Sequence, residues 1–257
     1  MRAAAFAVLF ACRNAAPGAP DGGRALQPGV DWAQVAASVY LAGEEYQESR
    51  ELEGGLERRR PAIERLLAQT PAPDAEVARD IAELQRRLRG PVDYEFPLEC
   101  KHVAAHIEER AKLSRTPASK PSLEHGAQVY AAACAACHGK AADGEQPRVT
   151  LDPPAADLLH AEKSWRPYDM FARVTYGGLE TAMPSFGDAL SAQDRWDLVF
   201  WLFASRWPPC ARPNAPVLSA SELALSSDFD LSNKVPYDAI ACVRRNFTAP
   251  APSPAAR

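Results

Sequence analysis

The chain has 257 residues, 47% of them hydrophobic, which is enough to bury a core in one or two domains. The formal charge is −4, with 33 acidic against 29 basic residues, so no basic stripe is present to neutralise nucleic-acid phosphates. No run of 18 apolar residues occurs, and a membrane-crossing helix is not expected; Trp196 to Trp207 is too short and carries Asp197.

At the start, Arg2 precedes a short apolar run from Ala3 to Ala11, similar to a brief export signal. Leu9-Phe10-Ala11-Cys12 resembles a bacterial lipobox, in which Cys12 would be lipidated and become the membrane anchor. Phe10 departs from the small or β-branched residue usual there, and a plain signal peptide or a misassigned start is the alternative. Residues 13–29, rich in Pro, Gly and Ala, read as a linker.

A helical region is expected over 30–116. Asp31 opens a helix with Gln34 three residues on, followed by Trp32, Val35 and Val39 at helical spacing. A second helix is expected after Pro61, with Ile63, Leu66 and Leu67 on its apolar stripe. Asp74 caps a third, in which Val77, Ile81, Leu84 and Leu88 recur on one face until Gly90-Pro91. A fourth spans about Glu99 to Leu113, and the four form a small antiparallel layer. The connector Thr116 to Pro121 marks a boundary, and Ser122 caps the next helix. A unit over 117–208 follows. The tail, 209–257, has one short helical candidate, Ser219 to Ser226, and a Pro- and Ala-rich end expected to be disordered.

The informative stretch is Cys134-Ala135-Ala136-Cys137-His138, a C-x-x-C-H run that reads as a covalent attachment site for one haem c. Two thiols three positions apart near a helix end can bond both vinyl groups of one haem. The next residue, His138, then offers an imidazole to the iron. A redox C-x-x-C would sit in a βαβ context, and a closed zinc site would need a second ligand pair; neither signal is present. Haem of this kind is attached outside the bacterial cytoplasm, so an exported, periplasmic protein is expected.

The surrounding residues resemble class I cytochromes c, which implies an all-α fold for 117–208, preceded by the small helical bundle. Gly126, Tyr130 and Cys134 lie on one helical face. Leu198 and Trp201, on a helix from Asp194 to Ser205, are the reciprocal pair at which that family's terminal helices cross. Ala182-Met183-Pro184 is similar to the family's Met-Pro loop, which implies Met183 as the second iron ligand. Met170 reads as core, in a helix opened by Pro167; His125, His160, His102 and His106 are the other candidates. The family sets a proline carbonyl against the proximal imidazole, here Pro154 in preference to Pro153. Trp165, Arg166 and Tyr168 are candidates for the haem propionates.

A wider resemblance covers most of residues 30–230. Leu151-Asp-Pro-Pro, Thr181-Ala-Met-Pro-Ser-Phe and Asp194-Arg-Trp-Asp-Leu are similar to the cytochrome region fused to bacterial high-affinity iron permeases. The permease half and its Arg-Glu-x-x-Glu signature are missing, since Arg50-Glu51-Leu52-Glu53 has no Glu at the fifth position. The resemblance implies an accessory to a separate iron permease.

Glu44, Glu48 and Glu51 share a helical face and read either as a solvated acidic face or as a weak Fe(III) site. Cys100, His102 and His106 could form a metal cluster, or a part-buried thiol beside surface imidazoles. Of Cys100, Cys210 and Cys242, one pair can be bridged in an oxidising compartment, and a Cys210–Cys242 bridge would pin the tail. No Ser-His-Asp set, phosphate loop or acid/base pair argues for an enzyme. The expected function is single-electron transfer between redox partner proteins; a haem sensor or peroxidase-like protein, with an open iron position, is the alternative.

Overall fold

The computed structural model describes residues 31–50, 54–145, 147, 149–151, 154–160, 165–179, 181–212 and 214–250. The expectations for 1–29, Cys12 included, lie outside them, as do those for Glu51, Asp152 and Pro153. The described residues are helical except for connectors and one two-residue parallel strand pair.

Four helices form the N-terminal layer: α1 (Trp32–Arg50), α2 (Gly55–Gln69), α3 (Ala75–Leu88) and α4 (Phe96–Arg110). Asp31 Oδ1 accepts from the Gln34 N–H at 3.0 Å, which starts α1. Asp74 does the same for α3 with Glu76 and Val77, and all four of the stripe residues Val77, Ile81, Leu84 and Leu88 are buried. Two helices differ from expectation in their bounds. Helix α2 begins at Gly55 and carries Pro61 inside it. Proline removes one helical hydrogen bond, but buried Leu56 and Ile63 fix the turns on either side. Helix α4 begins at Phe96 because Pro97 sits in the first turn, where no amide partner is needed. It ends at Arg110 because Lys112 turns left-handed (φ 54°) and the Leu113 N–H closes back on the Glu108 carbonyl at 2.9 Å.

The central unit is built on α5 (Leu123–Ala133), α6 (Ala135–His138), α7 (Pro167–Tyr176) and α8 (Ala192–Ser205). Ser122 caps α5 by accepting from the His125 N–H. Helices α5 and α8 cross at Gly126, where a Cβ would lie 2.1 Å from the Asp197 carbonyl oxygen, so only glycine allows this approach. The Tyr130 and Trp201 rings meet beside the crossing, centroids 4.8 Å apart.

The segment after Pro209 holds more structure than the one expected helix. It contains β1 (Leu218–Ser219), α9 (Ala220–Ala224), α10 (Asp228–Ser232), a 3-10 turn (Tyr237–Ala239), α11 (Ile240–Val243) and β2 (Phe247–Thr248), which pairs in parallel with β1. Leu223, Ile240 and Phe247 pack on Trp196 and Phe200 of α8. A disulfide joins Cys210 and Cys242.

Candidate functional site

Helix α5 ends at Cys134, and one further turn, α6, presents Cys137 and His138. Gly139 then reverses the chain at φ 78°, with the Glu145 carbonyl oxygen 2.2 Å from where a Cβ would be. The buried Tyr130 hydroxyl donates to the Gly139 carbonyl at 2.6 Å and fixes that reversal. Burial pushes the Cys134 thiol up to about 12, with Cys137 adding to the shift.

The His138 ring is held by its Nδ1, 2.9 Å from the Ala156 carbonyl oxygen. This corrects the expectation of Pro154. The returning segment is tied to the motif turn by the Leu158 N–H on the Ala142 carbonyl (2.9 Å). That register brings the carbonyl two residues beyond Pro154 to the ring. With Nδ1 donating, Nε2 carries the free lone pair.

Cys134, Cys137, His138 and Met183 all line one cavity of about 460 Å³. The Met183 loop is tied at its base: the Gly178 N–H donates to the Met183 carbonyl at 3.1 Å, and Gly177 (φ 78°) lies where a Cβ would be 2.8 Å from the Met183 oxygen. Leu198, Leu202, Val174 and Phe186 supply apolar wall. Met170, expected as core, is buried and also borders this cavity.

The remaining candidates go elsewhere. His125 Nδ1 lies 2.9 Å from Asp197 Oδ2 beside the helix crossing, and His160 Nδ1 lies 2.7 Å from Asp157. His102 and His106 are exposed on α4, while Cys100 points inward against Gly43, so the three do not converge. Trp165 borders the cavity. Tyr168 and Arg166, candidates either for the propionates or for core or surface placement, are not among the residues lining the cavity: Tyr168 donates to Glu108, and Arg166 pairs with Asp169 at 2.8 Å.

The α1 carboxylates hold the largest surprise. Glu44 is buried, 3.0 Å from Lys101 Nζ and 3.6 Å from Arg173 Nη2; Glu48 Oε1 lies 2.5 Å from the same Arg173 nitrogen. Glu44, Glu48 and Arg173 border the cavity. Glu44 is tied up by Lys101 and Arg173, while Glu48, paired with the same arginine, stays half exposed; Glu51 lies outside the described residues, among which no group of three or more His, Cys, Asp or Glu is placed to hold a metal ion. The helical spacing of Glu44 and Glu48 was visible in the sequence, but their partner lies 125 residues away.

The donor set fits a flat, largely apolar cofactor with one metal: two thiols and an imidazole on one wall, a thioether on the loop, and a volume within the usual range of about 300–1,000 Å³ for cofactor sites. Residues 121–202 match the family model described as "Cytochrome C oxidase, cbb3-type, subunit III". No curated protein and no solved structure matches the chain.

Proposed function

We propose that this chain carries single electrons, on the premise that its residues 121–202 are a class I c-type cytochrome domain with covalently bound haem c. The observation that carries the proposal is the one cavity shared by Cys134, Cys137, His138 and Met183. Haem c supplies one-electron iron chemistry when bound.

The chain's own residues do the rest. Cys134 and Cys137 are the two thioether attachment points, and His138 Nε2 is the first iron ligand. The Ala156 carbonyl fixes the imidazole tautomer and raises its basicity. Met183 is the second ligand; a thioether opposite an imidazole raises the reduction potential. It also fills the position that a sensor or peroxidase-like protein keeps open. Leu198, Leu202 and Phe186 exclude water, which limits reorganisation when the charge changes. The partners are redox proteins, met outside the cytoplasm after export, with Cys12 as the membrane tether.

The finer reading, an accessory to a separate iron permease, rests on the sequence resemblance over 30–230. Within it, Glu44 pairs with Lys101 and Arg173, and Glu48 with Arg173.

The test is expression of the full chain with a haem-maturation system. The wild type should keep haem through denaturation, and Cys134→Ala with Cys137→Ala should not. Ferric wild type should show the weak far-red Met–iron charge-transfer band, lost in Met183→Ala; loss in Met170→Ala instead would move the ligand to that residue. A deletion strain that grows poorly only under iron limitation supports the permease reading, and one that loses respiration in both media supports a respiratory carrier.

A further inference from the structure

The cavity has one wall that the cytochrome domain does not supply. Helix α1, from the N-terminal layer, brings Glu44 and Glu48 to it, opposite Arg173 on α7. Arg173 is 7% exposed. Burial works against its charge, but Glu48 and then Glu44 outweigh that and hold the guanidinium above its ordinary range. Lys101 Nζ, 3.0 Å from Glu44, balances that carboxylate, which leaves Arg173 and Glu48 as the pair whose charges face each other at the cavity.

Arg173 is buried but the Glu48 side chain is half exposed, so water screens part of their attraction and the pair is weak evidence for stability. Its place is more telling. Charges at the edge of a low-dielectric cavity are screened far less than surface charges and act strongly on any charge that changes inside. An iron that loses one electron gains one positive charge there.

We propose that α1 and Arg173 form a charged wall that sets the reduction potential of the haem, with Glu48 stabilising the ferric state and Arg173 the ferrous state. The N-terminal layer is thereby part of the redox site. This rests on the reading of the cavity as the haem site.

The test is a mediated redox titration of the full-length holoprotein, followed in the visible spectrum. Glu48→Gln removes a negative charge and leaves Arg173 beside the carboxylate of Glu44, which Lys101 shares. At a fixed potential it should raise the ferrous-to-ferric ratio at least threefold, or about 28 mV upward, since tenfold is 59 mV for one electron. Arg173→Gln should shift the ratio the opposite way, and the double variant should return towards wild type. Glu83→Gln, exposed on the outer face of α3 and paired with Arg86, should leave the ratio unchanged. Should Arg173→Gln fail to fold, Glu48→Gln decides alone. A ratio unchanged in Glu48→Gln, or moved as far by Glu83→Gln, overturns the proposal. Wild type that carries no covalent haem overturns the reading of the cavity itself.

Discussion

The N-terminal layer and the C-terminal segment grip the cytochrome domain by different physics. The C-terminal segment is held by apolar packing: Phe247 meets Phe200 with centroids 4.9 Å apart, Trp196 and Phe200 lie under Leu223 and Ile240, and a disulfide closes the segment. The N-terminal layer adds polar contacts to a modest apolar one around Ala172. The Tyr40 hydroxyl donates to the Asp169 carbonyl at 3.2 Å, Tyr168 donates to Glu108, and Arg173 pairs with Glu48. Apolar contact is non-directional and contributes most to stability. Polar contact contributes less net energy but fixes orientation and places charge. The C-terminal segment therefore acts mainly as a buttress and the N-terminal layer as a positioning element.

Substitutions should separate the two in order of size. Phe200→Ala, at a buried position, should cost about 3–5 kcal/mol in denaturant unfolding while leaving the visible spectrum unchanged. Replacing Cys210 and Cys242 by Ser should cost about 2–4 kcal/mol. Tyr168→Phe should cost about 1–3 kcal/mol, because buried Glu108 loses its donor. Tyr40→Phe should cost about 1 kcal/mol. If Tyr40→Phe proved as costly as Phe200→Ala, the contrast between the regions would collapse.

Glu108 adds a pH test. Burial, opposed by Tyr168 and Arg115, raises its carboxyl above the ordinary 4.5. A raised carboxyl binds its proton more tightly folded than unfolded. Its contribution is therefore complete below 4.5 and is lost as pH rises through the raised value. Glu108→Gln should flatten that loss, read as the difference between the two stability–pH curves.

Much of this fold was legible because its signals are local. Asp31, Asp74 and Ser122 declare helix starts within four residues, and the stripe from Val77 to Leu88 needs only its own period. The same holds for Cys134, Cys137 and His138 on one turn, whereas the Gly126 crossing was implied by the resemblance to class I cytochromes c, with a small residue on a packed face in support. What escaped depends on tertiary neighbours. Pro61 reads as a helix start unless the burial of Leu56 is known. The C-terminal helices after the expected one at Ser219 are too short for periodicity, though Ser227 with Asp230 is a capping box that marks the first of them. The Ala156 carbonyl depends on how one loop registers against another, and the partner of Glu44 and Glu48 is set by the docking of α1 on α7.

Under the proposed export and haem attachment, the described cysteines meet three different fates. Cys134 and Cys137 have to stay reduced until each sulfur adds to a vinyl group, while Cys210 and Cys242 have to give two electrons to an outside thiol oxidant and bond to each other. Cys100 must do neither. It lies fully buried against Gly43, its thiol pushed well up by burial, where no thiolate is available to attack a neighbour. Docking of α1 on α4 thus does sorting work that no redox chemistry does: with Cys100 shut in, one competitor for wrong pairing with the other four is withdrawn.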